Sequence, residues 1–162
     1  MKVFEVMTID VGFCNPEDNL TKAAQIMWEK DCGIVPVIDA EKRVIGVITD
    51  RDICIAAASR NRRTSSIKAS EMYFRPLKTC AMEDDVKDVL RRMRKYKIKR
   101  LCVTNQANEL LGIISLTDIL LKAGDKKSVR KLIFSTLTAI ARPSPIVLEE
   151  QDEEASEETS EG

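Results

Sequence analysis

The 162-residue chain contains no histidine, and this absence excludes several kinds of active site. Without an imidazole group, neither a Ser-His-Asp nor a Cys-His nucleophilic arrangement can form, and every zinc site that uses histidine is excluded. The G-x-x-x-x-G-K and G-x-G-x-x-G patterns of phosphate-binding loops are also missing. We therefore expect a protein that is not an enzyme, needs no cofactor and holds no metal site. The one alternative is a magnesium ion at Asp50 and Asp52 that bridges to a bound nucleotide.

The five cysteines are odd in number and contain no C-x-x-C pair. Most of them stand inside apolar segments, so we interpret them as reduced, buried, small hydrophobic residues rather than metal ligands or redox centres. They are Cys14, Cys32, Cys54, Cys80 and Cys102.

Long hydrophobic runs are absent too. No apolar stretch approaches the roughly 18 residues needed to span a bilayer, and the opening MKVFEVMTID lacks the apolar stretch of a signal peptide. We expect a cytoplasmic protein with no membrane contact.

The formal net charge of zero conceals a strong segregation of charge. Eight of the 26 acidic residues lie between Glu149 and Glu161, where there is no basic residue. The first 148 residues therefore carry 26 basic and 18 acidic side chains, a net charge of +8. Such a cationic body favours anionic ligands. The acidic tail at 146–162 is expected to be disordered, and it either keeps the protein soluble or competes for the cationic surface.

An internal repeat organises the chain. At an offset of 66 residues, the segment CGIVPVIDAEKRVIGVITDRDIC at 32–54 aligns without a gap with IKRLCVTNQANELLGIISLTDIL at 98–120. Identical positions include Gly46 with Gly112 and Asp52 with Asp118. One structural unit is therefore present twice.

Each copy predicts a helix, two strands and a second helix, preceded by a short strand. The first copy gives a short strand near 3–6, a helix at 18–31 capped by Asp18 or Asn19, strands at 34–38 and 44–48, and a helix from Thr49. The second gives a short strand near 76–79, a helix at 84–97 capped by Asp84 or Asp85, strands at 101–103 and 110–114, and a helix from Ser115. A polar linker at 59–70 joins them, and an apolar stripe predicts a C-terminal helix at 126–142 that covers a core or a dimer interface.

The doubled pattern of an apolar strand, a turn and G-h-h-[ST]-x-x-D entering a helix resembles a tandem pair of cystathionine-β-synthase-type (CBS) domains. The matching motifs are GIVPVID with GVITDRD, and LCVTN with GIISLTD. The resemblance covers residues 5–125, with repeats at 5–62 and 68–125. It implies an α/β (α+β) fold of two β-α-β-β-α repeats packed with pseudo-two-fold symmetry, and a homodimer. It also implies clefts that bind AMP, ADP, ATP or S-adenosylmethionine, and regulation of a partner protein.

The residues themselves support a nucleotide site. Asp52 and Asp118 stand in the first turn of a helix, where a carboxylate can accept two hydrogen bonds from a ribose diol. Thr49 and Ser115, three residues earlier, either contact a phosphate or cap the helix, and the free N–H groups there also favour an anion. Plain helix capping remains the alternative interpretation of both pairs. Likewise, Gly46 and Gly112 mark close approach of either a ligand or a packed backbone.

The resemblance adds base-binding and phosphate-binding candidates. It places Gly33, Ile34, Val35 and Pro36 on the strand that lines adenine, with Lys99, Arg100 and Leu101 at the matching positions of the second copy. Lead-in residues that contact the base correspond to Thr8, Asp10, Tyr73 and Leu77. Tyr73 could stack on adenine, although a half-buried structural role is the commoner one for such an aromatic residue. The candidates for phosphate are Arg51, Lys99, Arg100 and the linker residues Arg60, Arg62, Arg63 and Lys68. The first copy is favoured for base recognition, and the more cationic second copy for additional phosphates.

Two other functions stay open. The clefts could be degenerate and empty, which would leave a scaffold or dimerisation protein. Alternatively, the +8 body could bind nucleic acid weakly and without specificity through 60–68 and 122–131. Sequence-specific readout has no support, because the chain has only seven aromatic residues and no recognisable reader motif.

Overall fold

The computed structural model describes residues 1–72, 77–122, 124 and 126–143. These ranges form five α-helices, five β-strands and three short 3₁₀ helices. The helices are α1 Leu20–Glu29, α2 Asp50–Ser59, α3 Val86–Tyr96, α4 Leu116–Lys122 and α5 Lys127–Ala141. The strands are β1 Ile34–Ile38, β2 Val44–Thr49, β3 Thr79–Cys80, β4 Arg100–Thr104 and β5 Leu110–Ser115. The acidic tail and Tyr73 lie outside the described residues.

The predicted repeat is confirmed. Strand β1 pairs antiparallel with β2, and β4 pairs with β5 in the same register at the 66-residue offset. Even the register irregularity recurs, between Val37 and Ile38 in one hairpin and between Val103 and Thr104 in the other. The chain therefore builds the same hairpin twice, as the predicted α/β fold requires.

The helices before each hairpin begin at side-chain caps. Asn19 accepts a hydrogen bond from the Lys22 N–H at 3.0 Å at the start of α1, and Asp85 accepts one from the Lys87 N–H at 2.8 Å at the start of α3. These contacts decide between the two cap candidates at each helix, because a cap oxygen must reach the otherwise unpaired N–H groups of the first turn.

The predicted short strand near 3–6 is wrong, since Val3–Glu5 is a 3₁₀ helix. The Glu5 carboxylate accepts a hydrogen bond from the Lys2 N–H and thereby closes the turn. Val3 and Val6 are buried with side chains of the second repeat. At the offset position Ala69–Glu71 forms the same 3₁₀ helix, and Ala69 is buried with side chains of the first repeat.

The short strand predicted near 76–79 is found in the described residues as β3, which pairs in parallel with β4. Its counterpart in the first repeat is an isolated parallel bridge between Cys14 and Val37.

The two hairpins meet across the pseudo-two-fold axis. The Val44 N–H donates to the Asn108 carbonyl at 2.9 Å, and the Leu110 N–H donates to the Lys42 carbonyl at 3.2 Å. A small apolar cluster lies between the hairpins and consists of Ile34, Ile38, Val44, Cys102 and Ile113. Because both repeats contribute to it, the halves form one packed unit.

The predicted C-terminal helix is α5, which packs on α3. Val129 and Ile133 are buried in the second repeat's core. The Thr136 hydroxyl donates to the Leu90 carbonyl at 3.3 Å, and Lys97 Nζ donates to the Arg142 carbonyl at 3.3 Å. The later residue of α3 contacts the later residue of α5 in these two bonds, so the two helices run parallel and end at the same side of the molecule.

The cysteine prediction is confirmed only in part. All five cysteines are free, and Cys14, Cys80 and Cys102 are buried, whereas Cys54 is exposed and Cys32 is half-buried. Cys54 differs because the core side of α2 is occupied by Ala56 and Ile53, which leaves position 54 on the outer surface.

Candidate ligand-binding site

The first half of the candidate site is the corner where β2 passes into α2. The Asp52 N–H donates to Thr49 Oγ1 at 3.2 Å. In return, the Thr49 N–H and hydroxyl both donate to Asp52 Oδ2, at 2.9 Å and 2.6 Å. We call Thr49 with Asp52 the first corner. Within the described residues Asp52 Oδ1 accepts no hydrogen bond, so the carboxylate keeps one oxygen for another partner.

The second corner, Ser115 with Asp118, repeats this geometry. The Ser115 N–H and hydroxyl donate to Asp118 Oδ2 at 2.8 Å and 2.6 Å, and the Asp118 N–H donates to Ser115 Oγ at 3.0 Å. Both aspartates are half-buried. Both aspartates therefore take part in helix capping, but only through Oδ2. The Oδ1 atom of each carboxylate can bind a ligand while the cap stays in place.

Gly33 brings groups from both repeats together at the first corner. A Cβ atom at this position would lie 2.7 Å from Asp50 Oδ2 and 3.6 Å from Arg100 Nη2. Arg100 starts β4 of the second repeat, yet its guanidinium reaches the start of the first repeat's hairpin. The sequence assigns Arg100 only to the second copy and names Asp50 only as a partner of a nucleotide-bridging magnesium ion. No local signal could reveal this contact, because it arises from packing of the two repeats.

The predicted adenine-lining strand is largely inside the molecule. Ile34, Val35 and Pro36 are buried on β1, and Leu101 is buried on β4. The Pro36 carbonyl accepts a hydrogen bond from the Cys14 N–H at 2.9 Å, so this main-chain group is already used by the fold.

Leu77 is half-buried and packs against the apolar cluster between the hairpins.

The lead-in candidates Thr8 and Asp10 lie close to different repeats. Thr8 exchanges both backbone hydrogen bonds with Ile113, at 2.8 Å and 2.9 Å, which places it beside the second corner. A Cβ atom on Gly112 would lie only 2.6 Å from the Thr8 carbonyl oxygen, so backbone packing explains that glycine. Asp10 is 88% exposed and pairs with Lys30 of the first repeat at 2.6 Å.

Three predicted phosphate ligands remain available near the corners. Arg51 and Lys99 are exposed and Arg100 is half-buried, and none of the three forms an ion pair with an acidic group of the described residues. The Lys99 carbonyl accepts a hydrogen bond from the Leu116 N–H at 3.0 Å. This bond holds Lys99 directly beside the start of α4 and hence beside the second corner.

Three of the four linker cations, Arg60, Arg62 and Lys68, form ion pairs with glutamates. Glu71 pairs with Arg62 at 2.7 Å and with Arg60 at 3.5 Å, while Lys68 pairs with Glu17 at 2.6 Å. The hydrogen bond from Arg62, followed by that from the Lys68 N–H, lowers the pKa of Glu71 to about 2. Arg60 is the C-cap of the ten-residue α2, a helix about 15 Å long, whereas Asp52 is in its first turn. These cations hold the linker on the first repeat.

Within the described ranges, no group of three or more cysteine, aspartate or glutamate side chains is placed to hold a metal ion. The same ranges contain no helix with both the length and the apolar content that crossing a bilayer requires.

Comparisons with known proteins agree with this architecture. The model of the CBS domain family matches residues 3–59 and 69–124. The uncharacterized protein YlbB of Bacillus subtilis is 30% identical over 73% of this chain and 79% of its own length. Inosine-5′-monophosphate dehydrogenase of Methanocaldococcus jannaschii is 30% identical over 74% of this chain but only 23% of that enzyme. The solved CBS domain pair of protein MJ0100, in complex with 5′-methylthioadenosine and S-adenosyl-L-methionine, has a TM-score of 0.70 at 24% identity, covering 78% of this chain and 98% of that one.

Proposed function

Because the chain belongs to the CBS domain family, we propose that it is a non-catalytic, cytoplasmic regulatory module. It binds an adenosine-containing ligand such as AMP, ADP, ATP or S-adenosylmethionine in the clefts at its two corners. Ligand occupancy is then communicated to a separate protein partner. The five free cysteines suit a reducing compartment.

One observation carries this proposal: each corner holds a half-buried aspartate that caps its helix with Oδ2 and retains Oδ1. A ribose presents two adjacent hydroxyl donors, and hydrogen bonds to a carboxylate are about twice as strong as those between neutral groups. Partial burial strengthens such bonds further, because less water competes for the acceptor. Asp52 and Asp118 therefore suit the 2′- and 3′-hydroxyls of a nucleoside.

The surrounding charges suit a nucleotide rather than an uncharged nucleoside. Arg51 lies in the first turn of α2, where the helix dipole also favours an anion. Lys99 supplies positive charge at the second corner, and Arg100, whose Nη2 approaches Gly33, supplies it at the first corner. We propose that the first corner selects the base and that the second tolerates more phosphates.

The relatives support the two halves of the proposal. The MJ0100 domain pair holds two adenosine-containing ligands on the same fold, a likeness that by itself concerns only the fold. In the dehydrogenase of M. jannaschii, the matching region is 23% of a larger enzyme. A domain pair that is covalently part of an enzyme in one protein supports a role beside a separate partner in another.

Isothermal titration calorimetry of the full chain with AMP, ADP, ATP and S-adenosylmethionine tests the proposal. Asp52→Asn and Asp118→Asn keep the side-chain volume but remove the charge. Loss of one charge-assisted hydrogen bond costs about 1.5–3 kcal/mol, so we expect affinity to fall about 10- to 100-fold at the corner that binds.

The matched control is Asn19→Ala, which removes a helix cap distant from both corners. It should lower the free energy of unfolding by about 1 kcal/mol and leave ligand affinity unchanged. Absence of heat with all four ligands would contradict the proposal and favour a scaffold with empty clefts. Binding of unrelated nucleic acids that disappears at moderate salt would reflect only the +8 body.

We also propose that the module is a homodimer formed through the outer face of α1 and α2. Trp28 is 88% exposed and Ile55 is 51% exposed on this face. Trp28 also lines an apolar depression of about 390 Å³ between the two helices, together with Ala24, Met27, Cys32, Asp50, Ile53 and Cys54. At the offset position, Leu90 contacts α5 and is fully buried, whereas Ala24 is exposed. In the second repeat, α5 of the same chain thus covers the face of α3 that corresponds to the exposed face of α1 in the first repeat.

Sedimentation equilibrium tests the dimer. Trp28→Glu should yield a monomer, whereas Phe134→Glu, at a position 73% exposed on α5, should leave the dimer intact. A dimer that survives Trp28→Glu would contradict this interface.

A further inference from the structure

Several basic side chains near the end of α3 and the start of β4 form no ion pair with an acidic group of the described residues. Residues 91–100 hold seven arginines and lysines, and no acidic residue occurs between 89 and 108. Arg91 pairs with Asp88, and Arg92 pairs with Asp84 at 3.0 Å. The remaining members that form no ion pair with a described acidic group are Arg94, Lys95, Lys99 and Arg100. We call these four the cationic segment.

The packing of α5 on α3 places the C-terminal end of α5 next to the cationic segment. Because α3 and α5 run parallel, the end of α5 lies beside the end of α3, and the Arg142 carbonyl is 3.3 Å from Lys97 Nζ. Lys97 sits in the left-handed conformation that ends α3 (φ 52°) and precedes Lys99 by two residues. The described helix therefore ends next to the cations, at the same side of the molecule as the second corner.

The acidic residues that follow α5 have the opposite charge to the cationic segment and are close enough along the chain to reach it. Glu149, the first acidic residue of the tail, follows Pro143 by six positions, a distance of up to about 20 Å for an extended chain. The stretch 149–161 carries eight carboxylates and no cation, against a net +8 on residues 1–148. Its tether raises the effective concentration of the acidic stretch near the cations to the millimolar range.

We propose that the acidic stretch 149–161 docks in cis on the cationic segment and competes there with anionic ligands. Lys99 belongs to both the docking surface and the second corner, so the docked stretch blocks phosphate groups at that corner. The competition rests on the proposed ligand-binding function, whereas the docking itself does not. Ligands with more phosphates gain most from displacing the tail, because they compete for the same cations.

Nuclear magnetic resonance of the ¹⁵N-labelled full chain tests the docking. The comparison is a neutral-tail variant of the same length, in which all eight acidic residues of 149–161 are replaced by glutamine or asparagine. At low salt the amide shifts of 94–100 should differ between the two proteins, and the difference should vanish at about 1 M salt, where the Debye length is about 3 Å. Equal spectra at low salt, or differences confined to other surfaces, would overturn the docking.

A charge-matched pair of variants locates the surface. Replacing Arg94, Lys95 and Lys99 by glutamine should abolish the shift difference. Replacing Lys126, Lys127 and Lys131, at the N-cap and in the first turns of α5, by glutamine removes the same charge and should preserve the difference. If the second triple variant abolishes it and the first does not, the assigned surface is wrong.

Calorimetry with inorganic triphosphate tests the competition without using adenosine recognition. A tail docked about 90% of the time weakens a competing anion about tenfold, so the neutral-tail variant should bind the probe about tenfold more tightly. Equal affinities in the two proteins would overturn the competition. If adenosine ligands bind equally well to both proteins, the tail does not compete with them and the proposed ligand-binding function still stands. If the tail changes triphosphate affinity but no adenosine ligand binds, the ligand-binding function is refuted and the competition stands.

Discussion

The Ala69 N–H donates a hydrogen bond to the Asp18 carbonyl at 2.7 Å and so ties the start of the second repeat to the first. The offset partner of this bond runs from Val3 to Asp84 at 3.1 Å and ties the start of the first repeat to the second. Each repeat is therefore completed by the lead-in segment of the other. A unit of this size buries little surface alone, so the exchange makes the two halves unfold together.

The exchanged lead-in predicts a specific loss of stability. Val6 is 1% exposed in the second repeat's core, whereas Phe4, two residues earlier, is 52% exposed. Val6→Ala should lower the free energy of unfolding by about 2 kcal/mol, with a single transition in urea. Phe4→Ala serves as the control and should change it by less than about 0.5 kcal/mol. Equal effects, or two separate transitions for Val6→Ala, would contradict the exchange.

Gly33 and Gly112, which both lie close to other groups of the protein, should differ in their tolerance of a side chain. A Cβ atom at Gly112 meets the Thr8 backbone carbonyl at 2.6 Å, whereas one at Gly33 meets the Asp50 side chain at 2.7 Å. Backbone cannot move aside cheaply, so Gly112→Ala should destabilise the protein by about 1–3 kcal/mol. Gly33→Ala should cost less, because the exposed Asp50 carboxylate can change rotamer. Thermal unfolding of both variants checks the order, and the reverse order would show that the lead-in is loosely held.

The linker contacts predict a dependence of stability on pH. The pKa of Glu71 is lowered from 4.5 to about 2, chiefly by the hydrogen bond from Arg62. A lowered folded-state pKa means that the stabilising contribution is complete above about pH 4.5 and is lost as the pH falls to about 2. Glu71→Gln should therefore lower the urea midpoint at neutral pH, and its difference from wild type should shrink across that window.

Arg62→Gln removes the main donor to Glu71 and should weaken the same pH dependence. A difference between wild type and Glu71→Gln that stays constant from neutral pH to about pH 2 would show that the carboxylate is not held by these contacts.

The regular elements could be predicted from the sequence because local patterns encode them. Apolar runs bounded by polar turns locate β1 and β2, and the 66-residue offset transfers them to β4 and β5. The 3₁₀ helix at Val3–Glu5 could not be predicted in this way, since three residues carry no periodicity and the segment is buried by a distant repeat. The approach of Arg100 to Gly33 likewise depends on how the halves pack. The Thr49–Asp52 pattern encodes a cap and a ligand contact equally, and the structure confirms the cap.

Burial should separate the reactive cysteine from the inert ones. Cys54 is exposed, whereas burial raises the pKa of Cys80 and Cys102 to about 12. Because the thiolate is the nucleophile, iodoacetamide should label Cys54 in the monomeric Trp28→Glu variant, where the proposed dimer interface is open, and leave Cys80 and Cys102 unlabelled until denaturant is added. Peptide mass spectrometry locates the label, and rapid native labelling of Cys102 would show that the core opens between the hairpins.

Asp52 and Asp118 are proposed to recognise the ribose hydroxyls, and a ligand without these hydroxyls tests that role directly. Calorimetry compares AMP with 2′,3′-dideoxy-AMP on wild type, Asp52→Asn and Asp118→Asn. If an aspartate holds the diol, removing either partner should weaken binding about 10- to 100-fold, and removing both should cost little more than removing one. This non-additive result at one or both corners is the predicted outcome. Additive losses at both corners, or equal affinity of wild type for the two ligands, would contradict the account.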